Sequence, residues 1–342
     1  MTPAMRALLD CLPHAPGYTW NWAGLEGMAL LSDWLRRMAQ TPQNPLWHGE
    51  GDVWAHTRLV CEALASLPDF RAMPPRTQDA LALAALLHDI ATPCFAHVID
   101  FLNGDYLAQE STETGTAERI EGSPEIQAVL RAHGLTTADV SDYHAYPIAD
   151  NASPRLSADR LEYTLGNAVN FGFARIDAVC AVYDDLTVGV GEDGAPELMF
   201  RREEAARAFC DWSLRCSEIY VSDADRCAMQ ALAELLDAAI LAGVIAREDL
   251  WRTEPEVIAR LEADDVLREG WMRFCALNAT ERNPRALPGT AGWRVIPAKR
   301  RWIDPLVDGV RASARFPEYA ARARAFLARS QEEPVRAFVQ TV

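Results

Sequence analysis

His88 and Asp89 follow seven apolar residues, Leu81-Ala82-Leu83-Ala84-Ala85-Leu86-Leu87, without a break. A helix that is apolar on nearly every side is expected to be buried. Burying an imidazole and a carboxylate is costly unless each finds a partner, and a cation satisfies both. Two more metal-competent residues stand in helical text. His56 lies upstream in Val53-Trp-Ala-His-Thr-Arg-Leu-Val60, and Asp159 lies downstream in Ser157-Ala-Asp-Arg-Leu-Glu-Tyr163. Two imidazole nitrogens and two carboxylate oxygens, with positions left for water, suit one divalent ion: Mn, Fe, Co, Ni, Zn or Mg. The residue types do not choose among these.

Helices must bring these residues together. Leu and Ala dominate the composition while Val and Ile are sparse, which favours helix. Asp52 stands where a cap would open a helix reaching about Leu67, and Thr77 or Asp79 can open the one that ends at His88-Asp89. Pro93 makes a turn, and further helices are expected over about 95–103, 112–120 and 125–132. Ser157 opens a strong helix over Ala158–Val169, after a polar loop from Tyr143 to Pro154. Leu186-Thr-Val-Gly-Val-Gly, then Glu-Asp-Gly, then Pro-Glu-Leu-Met-Phe200 reads as a β-hairpin. Residues 203–246 read as two helices broken near Ser222-Asp223, and 254–277 and 317–329 as further helix. A short strand is expected around Trp293–Ile296. The expected fold class is all-α with a small hairpin, in a single domain over 1–342. Its metal-binding core spans about 41–185 and a C-terminal helical extension about 200–342.

The net charge is −16, so an extended nucleic-acid interface is not expected, whereas a small anionic substrate is allowed by a local arginine cluster. Lys299 is the sole lysine, and Lys299-Arg300-Arg301, the densest basic run, reads as a solvated face, with an anion-binding or partner role as the alternative. No stretch approaches the roughly 20 apolar residues of a membrane span. The N-terminus lacks the pattern of a secretory signal, so a soluble cytoplasmic protein is expected. The eight cysteines form no CxxC pair and read as reduced thiols. Phosphate-loop, dinucleotide-binding, nucleophile-elbow and HExxH motifs are all missing.

Ala84-Ala-Leu-Leu-His-Asp-Ile-Ala-Thr-Pro-Cys-Phe-Ala-His97 resembles the HD segment of deoxynucleoside triphosphate triphosphohydrolases, members of the HD-domain metal-dependent phosphohydrolase superfamily. Asp159-Arg-Leu-Glu-Tyr163 is similar to their second aspartate segment, and Trp47-His-Gly-Glu-Gly-Asp-Val-Trp-Ala-His-Thr57 to the first-histidine segment of several HD domains. The resemblance covers about residues 45–165. It implies an HD-type helical bundle with His56, His88, Asp89 and Asp159 as metal ligands, and it places His97 and Asp100 near a substrate phosphate. The chain also departs from the pattern. Ala91 replaces a glycine, Thr92 stands where those enzymes carry a histidine, and Gln109-Glu110 is the best match to their downstream histidine-glutamate pair.

The implied reaction is attack of a metal-bound hydroxide on the phosphorus of a nucleotide or similar small phosphoester. Asp89 or Asp100 would orient the water, and His97 would bind a phosphate oxygen or protonate the leaving group. His48, Glu110, His144, Arg155 and Arg160 are the candidate substrate contacts. The expected partner is a small phosphorylated substrate, with a homo-oligomer possible because relatives are often dimeric or larger. A cyclic or 2′,3′-cyclic nucleotide phosphodiesterase, a di-iron oxygenase needing two further histidines, and a non-catalytic nucleotide-sensing module are the alternatives.

Overall fold

The computed structural model describes residues 36–42, 51–55, 58, 73–109, 111 and 115–340. A proline at the first helical position gives up no hydrogen bond, and Pro75 opens α1 (Pro75–Leu87) in this way. Ala80, Ala84 and Leu87 share one face of α1 and are buried, while its other apolar residues are only half-buried. His88, at the helix end, is half-buried, and Asp89 is exposed. The expectation that the His-Asp pair is buried is therefore corrected. Asp89 comes two residues after Leu87, roughly 200° around the axis, which turns it off the buried stripe.

In chain order α2 (Val98–Leu102), α3 (Thr116–Gly122), α4 (Pro124–Ala132), α5 (Thr137–Val140), α6 (Ala158–Asn170) and α7 (Ile176–Tyr183) follow. Strands β1 (Leu186–Val190) and β2 (Pro196–Phe200) precede α8 (Glu203–Tyr220), α9 (Asp223–Leu241), α10 (Glu254–Ala263) and α11 (Asp265–Cys275). The last elements are β3 (Ala279–Arg282), β4 (Leu306–Val307), β5 (Val310–Arg311), α12 (Ala312–Arg315), α13 (Pro317–Leu327) and β6 (Val335–Phe338). The fold is all-α with minor β. It divides into two compact units built from interleaved stretches: Met1–His88, Thr116–Cys216 and Ile303–Ala320 in the first, Asp89–Gly115, Ser217–Trp302 and Ala321–Val342 in the second.

In the first unit α6 opens at Ser157, whose hydroxyl accepts from the Arg160 amide at 3.3 Å, an N-cap. Leu161, Thr164, Leu165 and Ala168 recur at helical spacing and are buried. The lead-in to α6 is tied to the β-sheet. β1 and β2 pair antiparallel from Leu186↔Phe200 to Val190↔Pro196, with Gly194 in the turn at φ +82°. Glu197, buried in β2, accepts from the Leu156 amide at 3.2 Å and from Arg311 at 2.6 and 2.8 Å. β2 pairs parallel with β4 and β4 antiparallel with β5, giving the order β1-β2-β4-β5. The first turn of α6, which carries Asp159, is thereby held by the sheet.

In the second unit α9 opens at Ser222, which accepts from the Asp225 amide at 3.2 Å. Leu232, Ala233, Leu236 and Ala239 of α9 form a core with Val98, Ile99 and Phe101 of α2 and with Val257 and Leu261 of α10. Full burial of one such aliphatic side chain is worth about 1.5–3 kcal/mol, so α2, short as it is, is anchored by this core rather than by helix propensity. α10 and α11 break at Asp264, whose carboxylate accepts from the amides of Val266 and Leu267 at 3.0 Å each. The expected strand around Trp293–Ile296 is reduced to one bridge, Arg294↔Val335. Instead β3 and β6 pair antiparallel, Ala279↔Phe338 to Arg282↔Val335.

Candidate functional site

His88 Nδ1 lies 2.7 Å from the Ala85 carbonyl oxygen. A carbonyl only accepts, so Nδ1 carries a proton, and in the neutral ring Nε2 then holds the lone pair, the arrangement a metal-ligating histidine adopts. The Tyr143 ring stacks on the imidazole, with centroids 5.0 Å apart and planes inclined by 28°. Asp159 is half-buried in the first turn of α6, and its amide donates to the Ala149 carbonyl at 3.2 Å. Asp89 accepts from the Thr92 hydroxyl at 3.2 Å. His88 and Asp159 belong to the first unit and Asp89 to the second. His56, the fourth expected ligand, lies outside the described residues, as do His48 and Glu110. Among the described residues, no group of three or more His, Cys, Asp or Glu side chains is disposed to hold a metal. The donor chemistry of the proposed four, two imidazoles and two carboxylates, together with the His88 tautomer, fits a divalent cation.

A second constellation is built wholly within the second unit. His97 Nδ1 donates to Asp100 Oδ2 at 2.9 Å. The Asp100 side chain is 0% exposed, whereas that of His97 is 41% exposed. The other Asp100 oxygen accepts from the Ser111 amide at 3.0 Å. With Nδ1 donating, the edge of the ring bearing Nε2 faces Arg301, whose Nη2 is 3.5 Å away. The same Nη2 donates to Gln109 Oε1 at 2.7 Å. His97 also acts on Asp225: burial pushes the Asp225 carboxyl up to about 6, and the imidazole partly offsets that rise.

The backbone that delivers His97 is strained. Phe95 and Ala96 adopt φ of +62° and +42°, and Gln109 adopts +55°, the left-handed region that side chains disfavour. The 250–254 segment holds the first of these turns. The Cys94 amide donates to the Leu250 carbonyl at 2.6 Å, the Phe95 amide to Glu254 Oε1 at 3.3 Å, and the Trp251 indole to the Ala91 carbonyl at 3.0 Å. These contacts explain why the residues before Val98 form turns instead of the helix expected from about residue 95.

The candidate substrate contacts divide by what they touch. Arg160 donates to the backbone and side chain of Asn151, to the Arg155 carbonyl and to Ser157 Oγ, and it pairs with Asp150 at 3.1 Å. Arg155 pairs with Asp193 at 2.8 Å. Both guanidiniums thus hold the loop ahead of α6 in place. His144 Nε2 lies 3.0 Å from Asp150 in the same loop. The basic run 299–301 is not a solvated face: its three residues are half-buried, and Lys299 donates to the Ala108 carbonyl at 2.8 Å. Arg301, Tyr143 and Asp225 were not expected at these positions. The one signal for Arg301 was a basic run with no acidic residue before Asp304.

No family model matches the chain. It is 27% identical over 183 residues to YdhJ, an uncharacterized protein of Bacillus subtilis, an alignment covering 53% of this chain and 54% of that one. It is 33% identical over 90 residues to the metal-dependent phosphohydrolase cns2 of Cordyceps militaris, covering 26% of each. The chain thus spans about half the length of the first of these curated relatives and about a quarter of the second. The crystal structure of a phosphohydrolase from Bacteroides thetaiotaomicron superposes with a TM-score of 0.56 over 96% of this chain and 97% of that one, at 12% identity. The chain shares the fold of that structure. The resemblance to HD-domain phosphohydrolases agrees with this fold and with the Cordyceps relative. No described helix is long and apolar enough to cross a membrane.

Proposed function

We propose that the chain is a metal-dependent phosphohydrolase acting on a nucleotide or similar small phosphoester. The observation that carries this reading is the His97–Asp100 pair. A fully buried carboxylate fixes the ring so that Nε2 is turned to a half-exposed position beside a guanidinium. That is the geometry of a histidine that, as the doubly protonated imidazolium, donates from Nε2 to a phosphoryl oxygen or hands that proton to a leaving oxygen. The fold shared with a phosphohydrolase and the metal-dependent relative support it.

His56, His88, Asp89 and Asp159 would hold one divalent cation. When bound, the cation supplies positive charge that polarises a phosphoryl oxygen and makes a water more acidic. The chain's own residues do the remaining work. Ala85 keeps the lone pair on His88 Nε2, and the Glu197–Leu156 contact and the Ser157 cap steady the turn that carries Asp159. Asp89 would orient the attacking water.

The test is elemental analysis of the purified chain, together with assays on a panel of nucleotides, cyclic nucleotides and generic phosphoesters with Mn, Co, Ni and Mg. Bound metal that is lost in H88A and D159A, with hydrolysis lost in parallel, is the expected result. Metal-free protein without turnover under every condition would sink the proposal.

A further inference from the structure

Most arginines in the described structure meet a carboxylate: Arg155 meets Asp193, Arg282 meets Asp223, Arg294 meets Glu234, Arg311 meets Glu192 and Glu197, and Arg336 meets Glu281. In a chain of net charge −16 this is the expected fate of a guanidinium. Arg301 is different. Its contacts are the amide oxygen of Gln109 and the imidazole of His97, both through Nη2, while Nε and Nη1 make no hydrogen bond among the described residues. Among the described residues no carboxylate lies within ion-pair distance of it, yet it is half-buried. A half-buried guanidinium without a counter-charge, set against the outward nitrogen of an oriented histidine, lacks one thing: an anion.

The surroundings hold this geometry in place. Lys299 donates to the Ala108 carbonyl, which fastens the 299–301 segment to the 105–111 loop two residues before Arg301. Asp100 fixes both walls, since one oxygen holds His97 and the other the Ser111 amide of that same loop. Gln109, at φ +55°, turns its amide oxygen towards Arg301 and orients the guanidinium without neutralising it.

We infer that Arg301, with His97, forms a subsite for a phosphoryl group, in which the guanidinium donates to two phosphate oxygens and His97 Nε2 accepts from a protonated third oxygen, or donates to it when the imidazole is doubly protonated. The inference deepens the phosphohydrolase reading by giving its substrate's phosphate a seat, and it rests on that reading only for the phosphate's being part of a substrate. Fork-shaped donation to a tetrahedral anion is what distinguishes arginine from lysine.

The experiment is titration of the full chain, kept in EDTA, with inorganic phosphate and pyrophosphate, followed by calorimetry and by thermal unfolding. Binding by the wild type, weakened roughly tenfold or more in R301Q and only partly restored in R301K, is expected, since a charged bidentate contact is worth at least the ~1.4 kcal/mol of a tenfold change. R300Q is the control, because Arg300 donates to the Arg329 carbonyl, and it should bind as the wild type does. Circular dichroism confirms folding, and R301K keeps the test intact if R301Q unfolds. Unchanged phosphate affinity in R301Q, or no phosphate binding by a wild type that hydrolyses phosphoesters, overturns the subsite. Arg301-dependent phosphate binding without hydrolysis under any metal supports the subsite and counts against the hydrolase reading alone.

Discussion

Replacing Asp100 separates its packing role from its chemical one. In D100A the Ser111 amide loses a buried acceptor, a loss of about 1–3 kcal/mol, and the His97 bond adds about 1 kcal/mol more. The second figure stays small because the His97 ring is 41% exposed and can turn Nδ1 to water. The expected cost is therefore about 2–4 kcal/mol of unfolding free energy. In D100N the side-chain oxygen still serves the Ser111 amide, and the new NH2 group is directed at His97 Nδ1. Two donors cannot share one hydrogen bond, so the ring must accept at Nδ1 and carry its proton at Nε2, opposite the Arg301 guanidinium 3.5 Å away. D100N should cost only about 1 kcal/mol, yet it should invert the tautomer of His97. Urea unfolding reads the energies, and a long-range proton–nitrogen correlation spectrum reads which imidazole nitrogen is protonated. If His97 keeps its proton on Nδ1 in D100N, or if D100A unfolds at the wild-type urea concentration, the account of the pair is wrong.

Three further outcomes are expected. Burial raises the Asp225 carboxyl from the usual 3.8 to about 6, so the unfolded chain releases this proton first as pH rises. Its contribution to stability is then fully present below about pH 4, falls away towards pH 6, and leaves the folded chain poorer above it by at most about 3 kcal/mol. D225N should recover part of that loss at pH 7 and nothing near pH 4, and urea unfolding at the two pH values checks the difference. Trp251→Phe removes the indole bond to the Ala91 carbonyl and should lower stability by about 1 kcal/mol, with faster amide exchange at Cys94 and Phe95 as the local signature. Of the described cysteines Cys275 alone is exposed, whereas burial and the Glu254 charge push the Cys94 thiol up to about 12. Alkylation of the native chain mapped by mass spectrometry should therefore modify Cys275 and spare Cys94 until the chain unfolds.

Elements that carry their own local signals were legible in the sequence. Ser157 caps the helix it was expected to open, Ser222 caps a helix at the expected break near Ser222-Asp223, and Gly194 makes the turn between the two strands read from the alternating segment 186–200. Elements that depend on distant partners were not. The 94–97 turn looks helical by residue type. The Leu250 carbonyl, the Glu254 carboxylate and the Trp251 indole, more than 150 positions away, help hold the turn in which Phe95 and Ala96 are left-handed. β3 and β6 pair across 55 positions, from Glu281 to Arg336, and no local pattern announces which segment a four-residue strand will meet.

The candidate site divides along the same line. His97 and Asp100 stand three residues apart, so one helical turn brings them together; the resemblance places both near a substrate phosphate. Arg155 and Arg160 were chosen as phosphate ligands because they flank Asp159, but proximity along the chain says little about a side chain of arginine's length. Both are engaged by the polar loop and hairpin carboxylates around them. Arg301 is far from every ligand in sequence and was read as a solvated face from composition alone. In an acidic chain the abundance of carboxylates gives most guanidiniums a structural partner. An informative arginine is then one whose described partners carry no charge, and only the folded chain reveals which those are. Arg301 meets that condition where, among the described residues, a buried carboxylate also presents a histidine. For this reason the loss of phosphate affinity in R301Q, measured beside that of R160Q, is the sharper test of where a substrate's phosphate sits. R160Q should lose stability by loosening its loop while keeping its affinity for inorganic phosphate. The opposite pattern would return the phosphate to the turn that carries Asp159.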